Sequence, residues 1–216
     1  MAAEFPAPPP EWGLALSAEQ LDKLALYAAG LREMSGRLNL VSPADLAVIE
    51  TRHITDSLAG AVPLRRLVHA GGTVLDAGSG AGFPGVPLAI ALPELEFTFC
   101  DSSLRRFQFL TWITSRLGLR NARALHARLG QWKGPLYSAV VQRAMGQLEN
   151  ILPQCLNIAA PGGYFLAWQT AAQVAADRPA AAAALTAAGG ELKEDIGYPL
   201  PGEKEERHIL VFARKG

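Results

Sequence analysis

Positions 74 to 85 hold the residues best suited to chemistry: Val74, Leu75, Asp76, Ala77, Gly78, Ser79, Gly80, Ala81, Gly82, Phe83, Pro84 and Gly85. An apolar run enters a glycine-rich turn, and a helix opens at Pro84. Glycines here admit positive φ and let backbone N–H groups approach a ligand closely. A purely structural strand-to-helix turn would use the same residues. The spacing narrows the ligand. It reads G-x-G-x-G, and Phe83 stands where the dinucleotide fingerprint needs its last glycine, which weighs against a nicotinamide or flavin. The Gly-Lys-Ser/Thr of a phosphate loop is absent. Asp76 is badly placed to greet a pyrophosphate and suits a cationic or zwitterionic ligand. Asp101 ends the next apolar run, Leu95 to Cys100, where nucleotide-binding α/β folds hold a ribose diol. Its alternative role is to cap the helix that starts near Ser103.

These residues need a scaffold. TVLDAG, EFTFCD, ARALHA, YSAVVQ and GYFLAW are short runs of strand type, separated by helical stretches at about 84–92, 103–117 and 146–159. Such alternation predicts an α/β fold, with a mostly parallel sheet and helices on both faces. ELKEDIGYPL and RHILVFAR are joined only by PGEKEE, too short for a crossover helix, so they should pair as a hairpin. Residues 171–190 are rich in Ala and favour helix, interrupted at Pro179. Before the sheet, Leu21, Leu24, Ala25, Ala28 and Leu31 recur at helical spacing, with Ser17 and Gln20 as a capping box. Ser42-Pro43 starts a second helix. The expected organisation is a helical segment over 1–65, its Pro-rich first 13 residues poorly ordered, followed by the sheet domain over 66–216.

Composition sets outer bounds. The 216 residues are half hydrophobic, enough for a core without staples. Lys plus Arg and Asp plus Glu are both 20, so the net charge is zero. That argues against coating nucleic acid by bulk charge, though not against a local basic face. Cys100 and Cys155 are the only cysteines, too few for a disulfide framework or a four-cysteine zinc site. No His and carboxylate set points to a metal. No secretory leader is visible, and the apolar run at 83–92 is far short of the roughly 20 residues a membrane span needs. A cytoplasmic globular protein is the expectation.

The glycine turn with Asp101 resembles class I S-adenosylmethionine-dependent methyltransferases, whose Rossmann-like sheet has seven strands with the last antiparallel. VLDAG followed by GSGAGFPGVPLAI is similar, more closely, to the glucose-inhibited division protein B family. Asn39-Leu40-Val41, Arg52-His53 with Asp56-Ser57-Leu58, Asp101-Ser102 with Arg105-Arg106, Gln142-Arg143-Ala144, Pro161-Gly162-Gly163 and Arg207-His208 follow in that family's order. The resemblance implies methyl transfer from S-adenosylmethionine to N7 of a guanine in 16S ribosomal RNA. The substrate would be the small ribosomal subunit or an assembly intermediate, and the enzyme a monomer. Gln169 stands where the family commonly has Lys, and Arg105 where it usually has Lys. A small-molecule methyltransferase and a noncatalytic cofactor-binding module remain the alternatives.

The resemblance also implies roles. Asp76, Gly78, Ser79, Gly80, Gly82 and Phe83 would meet the cofactor's methionine part and sugar, Asp101 its ribose, and Leu129 and Gly130 its adenine side. Arg143 would contact the cofactor carboxylate or a substrate phosphate. Arg52, Arg105, Arg106, Arg128 and Arg207 join it as RNA contacts. Together with Arg32, Arg37, Arg116, Arg120 and Arg123, they should partly cluster at the C-terminal ends of the strands. Guanine N7 carries a free lone pair and loses no proton on attack, so the task is orientation and no general base is assigned. Phe83, Trp168 and Trp112 are aromatic candidates for stacking, Trp112 more as core. His53 and Asp56 lie three apart on one helical face and read as a buried structural pair. His69 and His126 have no assigned role.

Overall fold

Ser17 opens the first helix as its residue type suggests. Its hydroxyl accepts from the Gln20 N–H, and the Gln20 carboxamide accepts from the Ser17 N–H at 2.8 Å. The computed structural model describes residues 5–216, the Arg178 side chain excepted. Helix α1 (Ala18–Leu38) buries Leu24, Tyr27, Ala28 and Leu31 along one face. Helices α2 (Pro43–Leu46), α3 (Thr55–Leu58) and α4 (Ala61–Leu67) follow, with a wide turn of π type at Ile49–Ile54 that carries Arg52 and His53. Such wide turns recur at functional sites.

From Thr73 the chain alternates. The strands are β1 (Thr73–Ala77), β2 (Glu96–Asp101), β3 (Ala122–His126), β4 (Tyr137–Arg143), β5 (Ala159–Thr170), β6 (Gly190–Tyr198) and β7 (Arg207–Arg214). The intervening helices are α5 (Gly85–Ala91), α6 (Leu104–Arg116), α7 (Leu148–Ile158) and α8 (Ala171–Ala187). The described residues form one seven-stranded sheet in the order β3-β2-β1-β4-β5-β7-β6. β7 runs antiparallel to both β5 and β6, so the terminal hairpin forms as expected. The other neighbouring strands pair in parallel.

Alternation along each strand divides the core. Val74, Phe97, Phe99, Val141 and Leu166 pack with α1, α5 and α6 on one face. Leu75, Val140, Phe165 and Phe212 pack with α7 on the other. Burial on both faces explains the near-continuous apolar strands. The N-terminal helices share the first of these cores. Gln20 ties them down further, donating through Nε2 to the carbonyls of Ile90 and Ala91 on α5.

Two expectations need correction. Residues 1–13 were expected to be poorly ordered. Of these, 1–4 lie outside the described residues, but 5–13 lie along the core. Phe5 is only 4% exposed, and the Trp12 ring stands edge-on to Tyr198 at 5.5 Å. Apolar Phe5 and Trp12 find cover that proline composition alone does not reveal. The second correction concerns Pro179, which does not interrupt α8: the helix runs through it. The capping box of Thr170 and Gln173 and the Ala-rich flanks maintain the helix despite the missing N–H.

Candidate active site

The glycine turn is built around one buried carboxylate. Asp76 is next to last in β1 with no exposed surface, and its Oδ2 accepts from the Gly85 N–H at 3.0 Å. A Cβ at Gly85 would lie 2.4 Å from that same oxygen, so only glycine lets α5 start this close. Asp76 Oδ1 has no hydrogen-bond partner. Burial pushes the Asp76 carboxyl up to about 7, against 3.8 ordinarily. The folded state therefore holds a proton that the unfolded chain has released between about pH 4 and 7. This contribution to stability is complete below about pH 4 and is lost as pH rises through about 7. Asp76→Asn should gain stability relative to wild type between pH 4.5 and 7.5. Urea midpoints at the two pH values test this, and parallel pH dependences would contradict it.

Asp101, at the end of β2, clasps the turn from the other side. Its Oδ2 accepts from the Gly80 N–H at 2.9 Å and its Oδ1 from the Ser103 N–H at 2.8 Å. Arg106 stands 3.7 Å away. Asp101 thus supports the start of α6, and each of its oxygens keeps a lone pair for a ligand. Beside it lies a cavity of about 260 Å³, lined by Gly78, Asp101, Arg106, Leu129, Gly130 and Met145 among others. Gly78 has φ +65°, and a Cβ there would lie 2.2 Å from Met145 Sδ. Gly78, Asp101, Leu129 and Gly130, four residues singled out from the sequence, thus meet in one cavity. Arg106 and Arg128, read as RNA contacts, line the same cavity. Asp76, Ser79, Gly80, Gly82 and Phe83, also expected at the cofactor, do not line it. Phe83 is 8% exposed and faces Tyr27, His53 and Arg143, the last 4.7 Å above its ring.

A second cavity, of about 240 Å³, adjoins the first at Ala144, which lines both. Ala144 has φ +57°, a sparsely populated conformation for a residue with a Cβ. Turned so that its oxygen faces the backbone, the buried Gln142 carboxamide accepts from the N–H groups of Ala144 at 3.1 Å and Met145 at 2.6 Å. Arg143 dominates this second cavity. One guanidinium nitrogen donates to Asp56 Oδ2 at 2.7 Å and to the His53 carbonyl at 3.3 Å, and the other faces His53 Nδ1 at 3.0 Å. The guanidinium can only donate, so His53 Nδ1 must accept. The His53 proton then sits on Nε2, 3.1 Å from Asp45. Burial, reinforced by Arg143, lowers the His53 pKa and keeps the ring neutral. Asp56 also accepts from the Tyr198 hydroxyl at 2.6 Å, and its carbonyl accepts from the Trp168 indole at 2.9 Å.

His53 and Asp56 therefore do not pair directly, because Arg143 stands between them. Arg143 is in turn a largely buried ion pair rather than a surface one. Asp45, Tyr198 and Met145 were not singled out from the sequence, and Ala144 entered only as part of the Gln142-Arg143-Ala144 match. Ser42-Pro-Ala-Asp45 carries a local capping signal, with the Asp45 N–H donating to the Ser42 hydroxyl at 3.1 Å, but nothing local marks Tyr198. The arginines divide. Arg52, Arg143 and Arg207 line the second cavity, Arg106 and Arg128 the first, and Arg105 lies exposed in the first turn of α6. Arg120 and Arg123 lie at the opposite end of the sheet, beside the first residues of β1, β2 and β3. Arg116 pairs with Glu33, and Arg32 with Glu50. Trp112 packs on Phe109 and Arg116, as core. His126 faces the Ser102 carbonyl at 3.0 Å.

A family profile described as rRNA small subunit methyltransferase G matches residues 20–193. The protein named Ribosomal RNA small subunit methyltransferase G from Lysinibacillus sphaericus (strain C3-41) is 32% identical, covering 93% of this chain and 85% of its own length. The protein of the same name from Desulfitobacterium hafniense (strain Y51) is 35% identical, covering 92% and 83%. Among solved structures, the S-adenosylmethionine-dependent methyltransferase SibL in its apo form superposes with a TM-score of 0.59 at 18% identity, covering 90% of this chain and 70% of that one. A methyltransferase from Pyrococcus furiosus gives 0.59 at 13% identity, covering 90% and 98%. These structural likenesses show the fold: the class I methyltransferase sheet expected from the glycine turn.

Proposed function

The chain belongs to the rRNA small subunit methyltransferase G family, and from that premise we propose that it transfers a methyl group from S-adenosylmethionine to N7 of a guanine in 16S rRNA. The observation that carries this reading is the pair of cavities that adjoin at Ala144, one beside Asp101 and the other beside Arg143.

The first cavity fits the cofactor. Asp101 offers spare lone pairs to two ribose hydroxyls. Leu129 and Gly130 form the adenine side, and Gly78 leaves its edge free of a side chain. The Asp101 carboxylate beside the glycine turn suits a cation. When bound, the cofactor supplies a methyl group already activated by its sulfonium charge. Guanine N7 needs no base, so the residues of the chain bind, orient and exclude water. The second cavity, walled by Trp168 and Arg143, is the place for the base. A guanine drawn from a helix would leave its stack to reach it. Trp168 is mostly covered and offers an edge, while Phe83 lies beneath Arg143 and is not free to stack. Exposed Arg105, Arg106 and Arg128 would meet RNA backbone around the opening, while Arg52 and Arg207, already paired with carboxylates, line the base cavity. With zero net charge, an assembled small subunit or assembly intermediate is the preferred substrate over naked RNA.

On this reading, residues 1–65 supply one wall of the base cavity, through Asp45, Arg52, His53 and Asp56, and 66–216 supply its other walls and the cofactor cavity, within a monomer that works in the cytoplasm. Among the described residues, no helix is long and apolar enough to cross a membrane. The test is transfer of labelled methyl to small subunits from cells lacking the modification. The expected product is 7-methylguanosine in 16S rRNA. Label passing only to small phenols or acids would favour a small-molecule enzyme. Tight cofactor binding without transfer would favour a noncatalytic module.

A further inference from the structure

The second cavity is polar but balanced in charge. Arg52 lies 3.7 Å from Asp45 and 3.2 Å from Glu203, Arg143 2.7 Å from Asp56, and Arg207 donates through Nε to Glu203 at 2.9 Å. A phosphate seeks an uncompensated cation, and each guanidinium here already has a carboxylate. At about 240 Å³ the space is also below the roughly 300–1,000 Å³ of pockets for drug-sized ligands. One neutral ring system with mixed donors and acceptors fits it better than a nucleotide phosphate.

One side chain in its wall is left without a partner. Gln169, next to last in β5, is only 5% exposed and lines the cavity, yet its Oε1 makes no hydrogen bond. Its neighbours are tied down: the Trp168 indole to the Asp56 carbonyl, and Thr170 to Gln173 in their reciprocal cap. Of the buried polar atoms without a hydrogen bond among the described residues, one other belongs to a residue that lines this cavity, His53 Nε2, and it lies 3.1 Å from Asp45. A buried carboxamide oxygen with no partner costs stability, and turning the amide so that a ligand in the cavity supplies the partner repays it.

We propose that Gln169 is a base-recognition residue whose carboxamide pairs with the O6 and N1–H edge of the target guanine. O6 accepts and N1–H donates side by side, and a carboxamide presents N–H and C=O at matching separation. Two hydrogen bonds hold that edge, and N7 stays free to point past Ala144 toward the neighbouring cavity. This rests on the ribosomal-RNA reading above and deepens it by naming a residue that positions the base.

The test is Gln169→Met, close in size and apolar. Three quantities are measured: melting temperature, affinity for S-adenosylmethionine by calorimetry, and kcat/KM on unmodified small subunits. Removing an unpartnered buried amide should leave the melting temperature equal or raise it, and cofactor affinity should not change. kcat/KM should fall about 5–30-fold, the effect of losing one or two neutral hydrogen bonds. A kcat/KM within twofold of wild type would overturn the proposal. So would a fall matched by an equal loss of cofactor affinity or accompanied by a lower melting temperature. If the wild-type chain itself transfers no methyl group to small subunits, the underlying reading fails, and that result is separate from any effect of the substitution.

Discussion

Replacing Asp56 with Ala should destabilise the chain by about 3–5 kcal/mol, the cost of removing one partner from a buried ion pair. Asp56 is 2% exposed and holds Arg143 at 2.7 Å and the Tyr198 hydroxyl at 2.6 Å. Without it, Arg143 keeps the His53 carbonyl and Nδ1 and the face of Phe83 but no carboxylate, and the buried phenol of Tyr198 loses its acceptor. The change also unpins three parts of the chain at once, because Asp56 lies on α3, Arg143 ends β4 and Tyr198 ends β6. For a chain of this length, that energy corresponds to a fall in Tm of roughly 6–20 °C. Urea denaturation followed by circular dichroism measures it directly. A loss under about 1 kcal/mol would mean that the pair behaves like an exposed one.

Replacing Asp101 with Ala should lower affinity for S-adenosylmethionine by about 100-fold or more. Hydrogen bonds to a charged group contribute about 1.5–3 kcal/mol each, and two ribose hydroxyls would bind here, which gives about 3 kcal/mol at least, or two powers of ten. The same substitution frees the Gly80 and Ser103 N–H groups, now held at 2.9 and 2.8 Å, so the turn loses its clasp as well. Calorimetric titration of both proteins gives the ratio. Affinity within about threefold of wild type would show that Asp101 serves α6 and the turn alone.

Which of these features are legible from residue order follows from sequence distance. The Ser17 and Gln20 cap, the Ser42-Pro43 start and the glycine turn closed by Asp76 and Gly85 all join residues within nine positions of each other. The terminal hairpin is legible because six residues cannot hold a crossover. Asp101 is legible because α/β folds place acidic groups at strand tips, although its grip on Gly80 spans 21 positions. The wall of the base cavity is different. Arg143 meets His53 across 90 positions, and Tyr198 meets Asp56 across 142. No periodicity reports such a meeting, so His53 and Asp56 read as partners of each other when both are partners of Arg143. Phe83 reads as a free aromatic for the same reason, since Tyr27, which covers it, comes from α1. Phe5 and Pro179 mislead in another way. Proline composition speaks for the isolated segment, and the outcome depends on the apolar surface it lies against.

The account turns on two neighbouring cavities with different occupants, and a crystal structure of the chain with S-adenosylhomocysteine tests this most directly. The ribose should rest on Asp101 and the adenine beside Leu129 and Gly130, with the space between Arg143 and Gln169 left clear of the ligand. Density for the ligand among Arg143, Trp168 and Gln169, or bound elsewhere with Asp101 untouched, would contradict it.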